Sequence, residues 1–192
     1  MLRDGASSEP EQANHFLGRI LQSTERIEAL LGDLLSLARL EARGVEDAAT
    51  VDLRECVQSA FEGTTDRGPA PTIEAEGVSL VRGDASWLTR AIENLVDNAR
   101  LHGQGEVRVQ LLGRDHGGSE QVVCRVINEG QIARGIRGRL FRRFVTTRRD
   151  RGGTGLGLAI VRAVAEAHSG TAECTEDGPP QVIFELTFPA KV

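Results

Sequence analysis

A wide apolar stripe near the N-terminus cannot remain in water, and it limits the folds open to this chain. Leu17, Ile20, Ile27, Leu31, Leu34 and Ala38 recur at spacings of three, four and seven, the period of one helix face. Phe16, Leu30, Leu35 and Leu37 widen the stripe. Ser7-Ser8-Glu9-Pro10-Glu11 supplies a start signal, with a Ser cap candidate, an early Pro and acids at the positive end of the dipole. The pattern runs to Ala42 and stops at Gly44, about nine turns. A helix of this kind belongs in a bundle or a helical dimer. The polar stretch 43–50 sets it apart from the rest of the chain, so packing on its own domain is the less favoured expectation.

From about residue 50 the texture becomes mixed α and β. Strands are expected at 50–53, 72–75, 78–82, 106–112 and 121–127, with a final hairpin of 171–175 and 181–188. Residues 113–120 read as a polar loop. Helices are expected at 54–62, 84–102, 136–144 and 156–168, the second capped by Asp84 or Ser86.

Composition narrows the chemistry. Of 23 basic residues, only Lys191 is a lysine, and Tyr is absent. A P-loop, a strand lysine on phosphates and an internal Schiff base are thereby excluded. A nucleotide site here must rely on backbone amides, Arg, Asn and a metal. Net charge is −5, which argues against a general nucleic-acid binder. Between positions 134 and 151, however, eight Arg and one Asp give +7. Such a cluster is either a solvated mobile loop or the seat of an anionic partner. Cys56, Cys124 and Cys174 form no CxxC pair, as suits buried thiols in a reducing cytosol. The four His show no zinc spacing. The first residues lack a signal peptide's apolar region, and no run of residues is apolar enough to span a membrane.

Three constellations carry chemistry. The first is Glu93-Asn94-Leu95-Val96-Asp97-Asn98-Ala99: with the preceding Leu88 and Ile92, Leu95 and Ala99 form a packed stripe, while Asn94 and Asn98 stack on another face. Amide oxygens are hard neutral ligands suited to Mg²⁺, although paired Asn also occur as plain surface polarity. Gly152-Gly153-Thr154-Gly155-Leu156-Gly157-Leu158 opens a helix directly after the Arg cluster. Its backbone amides and helix N-terminus suit a phosphate chain. These glycines lie too near the C-terminus for a Rossmann arrangement. Asn128-Glu129-Gly130 ends a strand, where a polar side chain can read a base or simply form a turn.

In this order and spacing the three sets resemble the ATP-binding domain of bacterial sensor histidine kinases, in the ATPase superfamily of the gyrase and mismatch-repair ATPases. The 93–99 segment looks like that family's asparagine box, 128–130 its first glycine box, 141–144 its phenylalanine box and 153–158 its second glycine box. Residues 23–41 are similar to the second helix of its dimerisation hairpin. The resemblance implies an α+β fold, a two-layer sandwich of the Bergerat type with helices on one face of a mixed sheet. It divides the chain into a partial dimerisation helix, 1–45, and a catalytic domain, 46–192.

By that resemblance Asn98 ligates Mg²⁺, and Asn94 lies beside the phosphates of ATP as a catalytic residue. His102 sits near the nucleotide, Asn128 faces the adenine amino group, and Gly130 makes room for the ring. Gly153, Thr154, Gly155, Leu156 and Gly157 line the phosphate side. The Arg-rich stretch becomes a lid that orders on the nucleotide, with Arg143, Arg148 or Arg149 reaching the γ-phosphate. The implied partners are ATP, a response-regulator receiver domain and the chain's own dimerisation hairpin in a homodimer. Neither nucleic acid nor direct membrane contact is implied, and the location is cytoplasmic, as part of a membrane-bound sensor.

Three positions depart from the family pattern. Asn128 stands where Asp is usual, which implies nucleotide binding weaker by on the order of 1 kcal/mol. Leu101 replaces a usual basic residue, and Arg100 points some 100° away. The 130–133 segment lacks a second glycine. None of the His contexts shows the acidic neighbour of a phosphoacceptor, so the acceptor helix is expected elsewhere and this chain alone is not expected to autophosphorylate. A degenerate regulatory module without kinase activity is the alternative.

Overall fold

The computed structural model describes residues 10–45, 48–62, 71–147 and 153–191. The start signal at 7–9 and the Arg148 and Arg149 candidates lie outside them. The chain runs α1 (Pro10–Arg43), β1 (Ala49–Asp52), α2 (Leu53–Glu62), β2 (Thr72–Glu76), β3 (Leu80–Gly83) and α3 (Ala85–His102). It continues with β4 (Gln104–His116), β5 (Ser119–Glu129), a 3-10 segment (Arg134–Arg139), α4 (Gly157–Ala167), β6 (Thr171–Asp177) and β7 (Gln181–Pro189).

Five strands form one mixed sheet in the order β2-β4-β5-β7-β6, with β2 parallel to β4 and the other pairs antiparallel. β1 and β3 form a separate two-stranded ribbon. Strand alternation divides the large sheet. Val109, Leu111, Val126, Phe184 and Leu186 join the helices in the core. On the opposite face Glu74, Gln110, Arg125, Glu185 and Glu173 lie in register across all five strands. Gln110 donates to Glu74 at 2.8 Å, and Arg125 pairs with Glu185 at 2.7 Å. The two-layer α+β architecture is therefore the expected one.

The stripe expected on α3 is the buried one: Leu88, Ile92, Leu95 and Ala99 are each 1% exposed. Asp84 caps the helix, its Oδ1 accepting from the N–H of Ser86 at 2.8 Å and of Trp87 at 3.2 Å.

Three expectations are corrected. The 113–120 stretch is not a loop, because β4 and β5 continue through it to a two-residue turn at Gly117-Gly118, both with positive φ. Gly113 pairs with Val122 inside the ladder, and only a glycine fits there, since a Cβ would come 2.7 Å from the Val78 nitrogen. The expected helix at 136–144 is only a 3-10 segment, Arg134–Arg139, with no side-chain cap and two internal glycines, Gly135 and Gly138. Finally, α1 packs on the domain at its C-terminal end, where Leu37 and Leu40 are buried in the common core. Leu17, Ile20, Ile27 and Leu31 of the same helix remain exposed.

The chain's cysteines are free. Burial pushes the Cys124 thiol up to about 12 and the Cys174 thiol, with help from Asp177, up to about 11, so neither supplies a thiolate at neutral pH.

His168 closes α4 against the ribbon. Its Nδ1 faces the Val164 carbonyl at 2.7 Å, and its Nε2 accepts the Asp84 N–H at 3.0 Å. A proton on Nε2 would collide with that donor, so the fold holds the neutral Nδ1–H tautomer. Burial lowers its pKa against the raising effects of the Val164 carbonyl and Asp84. The unfolded chain thus takes up the proton first, and stability is lost as pH falls below about 6.5. The urea midpoint is expected to drop between about pH 7.5 and about pH 5.5, with a shallower fall in His168→Gln.

Candidate nucleotide site

A cleft of about 480 Å³ opens between α3, the end of β5 and the start of α4. On α3, Asn94, Asp97, Asn98 and Leu101 recur at helical spacing and line it, together with His102. They form a face beside the buried stripe, so core packing turns both asparagines into the cleft. Asn94 Nδ2 donates to the Arg90 carbonyl at 2.9 Å. Its Oδ1 lies toward α4, where a Cβ on Gly157 would come within 2.9 Å of it. Only a glycine lets the two helices approach this closely.

At the other end, Asn128 is 5% exposed and lines the cleft. Its Nδ2 donates to the Glu129 carbonyl at 2.9 Å, which fixes the amide. Gly103 lies against it, since a Cβ there would sit 2.4 Å from Nδ2. The Gly130 N–H donates to the Pro180 carbonyl at 3.0 Å, and the Ile132 N–H to Asp177 at 2.9 Å. The β6–β7 turn thereby holds the 130–132 segment in place. Ile132, Leu140, Val182 and Phe184 make this half of the cleft apolar.

Gly153, Thr154, Gly155 and Gly157 line the polar half. The Leu156 N–H donates to the Thr154 hydroxyl at 3.2 Å, which ties the loop to the beginning of α4. Gly155 has φ +69°, and a Cβ there would be 2.7 Å from the Phe144 carbonyl carbon. The Arg-rich segment is anchored by Phe141, whose ring meets Phe184 edge-on at 6.1 Å.

Most sequence-predicted residues therefore converge: Asn94, Asn98, His102, Asn128, Gly153, Thr154, Gly155 and Gly157 all line one cleft. Others stand apart. Leu156 is fully buried and contributes its backbone, not its side chain. Gly130 flanks Asn128 without lining the cleft. Arg143 pairs with Glu41 of α1 and is not among the lining residues, and Arg148 lies outside the described residues. Sequence reasoning missed Asp33 and Asp97, which also line the cleft. Asp97 sits inside the 93–99 segment between the two asparagines, whereas Asp33 has no local signal.

An apolar half with one buried amide suits a planar heterocycle, and a glycine-lined helix N-terminus facing amide oxygens suits a metal-bound polyanion. This is a Bergerat-type ATP-binding fold. The chain belongs to the family described as histidine kinase-, DNA gyrase B-, and HSP90-like ATPase, which residues 83–192 match.

It is 38% identical over 191 residues to the probable sensor histidine kinase TcrY of Mycobacterium tuberculosis, covering 94% of this chain and 39% of that protein. It is 35% identical over 198 residues to the signal transduction histidine-protein kinase/phosphatase MprB of a Mycobacterium species (strain KMS), covering 97% of this chain and 38% of that one. The full-length structure of ShkA in complex with AMPPNP is similar over 96% of this chain and 40% of that chain, with a TM-score of 0.72 and 25% identity. The chain thus spans about two-fifths of the length of these relatives.

Gly155→Ala forces a side chain into left-handed backbone and against Phe144. It is expected to cost about 1–2 kcal/mol of stability, read from the urea midpoint, because L-residues disfavour that conformation.

Proposed function

We propose that this chain is the ATP-binding catalytic part of a two-component sensor histidine kinase, which holds Mg-ATP and presents its γ-phosphate to a histidine outside the chain. The observation that carries this reading is the cleft itself, with Asn94 and Asn98 facing the glycine run at one end and Asn128 buried at the other. The AMPPNP complex of the similar ShkA supports a nucleotide as the occupant.

The residues present fit a magnesium ion. Asn94 keeps Oδ1 for the cleft after committing Nδ2 to Arg90, and the glycine at 157 leaves that oxygen uncovered. Asn98, which lines the cleft one turn further along α3, would ligate the ion, with Asn94 beside the phosphates. When bound, the ion neutralises phosphate charge. The protein's residues do the positioning. Asn128 accepts the adenine amino group through Oδ1, Ile132 and Val182 flank the ring, and the loop N–H groups at 153–157 hold the phosphates. An acceptor imidazole nitrogen then attacks the γ-phosphorus in line. The bond to the β,γ-bridging oxygen breaks, and ADP leaves with the electron pair. Arg143 and Arg148 are the lid candidates for stabilising the transferring group.

The partners in this reading are a response-regulator receiver domain and a second copy of the dimerisation hairpin. The exposed face of α1, with Leu17, Ile20, Ile27 and Leu31, supports a helical dimer. Among the described residues no helix is long and apolar enough to cross a membrane. The working location in this reading is the cytoplasmic side of a sensor.

Calorimetric titration is expected to show ATP binding that strengthens with Mg²⁺. Asn98→Ala should lose at least about tenfold of the Mg²⁺-dependent affinity, in line with the loss of a polar contact to a charged group. Absence of ATP binding by the unaltered chain would overturn the proposal. Transfer of radiolabelled phosphate from ATP to a supplied acceptor hairpin of the parent protein separates a kinase from a degenerate module.

A further inference from the structure

Leu30, Asp33, Leu37 and Leu40 succeed one another along α1 at spacings of three, four and three, and so form one face. Leu37 and Leu40 enter the core, and Leu30 packs against it. Asp33 is the charged member of that face, with its side chain 19% exposed, and it lines the cleft.

Both of its oxygens are engaged with elements that bound the polar half. Oδ1 pairs with Arg90 of α3 at 2.9 Å, and Oδ2 accepts the Thr154 hydroxyl at 3.4 Å. Each partner is itself tied to the site: the Arg90 carbonyl orients Asn94, and the Thr154 oxygen receives the Leu156 N–H at the start of α4. Eight residues further along α1, Glu41 pairs with Arg143 of the Arg-rich segment.

A polyphosphate entering this half meets a half-buried carboxylate that repels it. Behind that carboxylate, Arg90 already pairs with Oδ1, and it is not itself among the residues that line the cleft. From this we infer that Asp33 is a latch: docked α1 and a bound polyphosphate compete, so nucleotide loading loosens α1 around residues 30–41. The coupling is reciprocal, because a ligand that weakens the docking is itself weakened by it. This inference rests on the nucleotide-binding reading and assigns the α1 contact as its regulator. The specificity of the effect lies in charge. It grows with the number of phosphates and is damped by a divalent cation, while the base end near Asn128 does not feel it.

The test uses the full chain and the near-isosteric Asp33→Asn. Calorimetry with adenosine, ADP and ATP, with and without Mg²⁺, is paired with hydrogen exchange across residues 30–41. Asp33→Asn is expected to bind Mg²⁺-free ATP about fivefold tighter, the lower end of typical coupling between sites. ADP should gain less and adenosine nothing. Exchange at 30–41 should rise in the variant without nucleotide, and in the unaltered chain on adding ATP. Weaker or unchanged ATP binding in Asp33→Asn, or an equal gain for adenosine, overturns the latch while leaving the nucleotide reading intact. An unaltered chain that binds no ATP, with exchange at 30–41 indifferent to it, overturns both.

Discussion

The close approach of α4 to α3 at Gly157 and Asn94 is the contact on which the site depends. α3 has two faces with separate tasks. Leu88, Ile92, Leu95 and Ala99 fix it to the sheet, and that anchoring leaves Asn94 and Asn98 no choice but to face the start of α4. Any side chain at 157 would strike Asn94 Oδ1 at 2.9 Å. The cleft is thus the gap between two packed helices whose N-terminal dipole and amide oxygens meet at one end. Interiors pack densely and yield little, so the geometry of the polar half is a direct consequence of burying the apolar one.

Much of this was legible in the sequence because it is local. The α3 stripe, its Asp84 cap and the glycine run before α4 each occupy one stretch of chain and obey helical spacing. The features that were not legible depend on distant partners. Gly113 reads as a loop residue, yet it is a strand position where the Val78 backbone passes close by. The apolar residues of α1 read as one stripe, whereas Leu30, Leu37 and Leu40 turn toward the domain and Leu17, Ile20 and Ile27 do not. Helical periodicity reports that a face is apolar, but not which of two partners it meets. Asp33 was invisible for the same reason, since its partners stand 57 and 121 positions away.

The Arg-rich segment shows how composition and structure divide the explanation. A charge of +7 over 134–151 in a chain of net −5 invites an anion. In the structure the described part of this segment is held by other forces: Phe141 on Phe184, Arg137 on Asp177, and Arg143 on Glu41. The aromatic contact, between half-buried Phe141 and buried Phe184, is apolar and insensitive to ionic strength. The two ion pairs are surface contacts of small worth that salt weakens. An anchored root with loosely held charges is suited to a lid, because it can exchange carboxylate partners for phosphate ones at little net cost.

The near-absence of lysine sharpens the character of the cleft. With no lysine among its lining residues, the cleft's polar half presents the glycine loop's backbone and amide side chains, while Asp33 and Asp97 place carboxylates in its walls. At the apolar end, Asn128 offers a neutral acceptor whose orientation is set by its bond to the Glu129 carbonyl. A carboxylate in the same pose could not donate to that carbonyl and would face it oxygen to oxygen. The amide therefore trades charge for a fixed direction. A site built this way has no single dominant ionic contact, so its affinity is set by many modest terms. Such a site is easily biased by one neighbouring charge, and Asp33, which lines the cleft from α1, is placed to supply that bias.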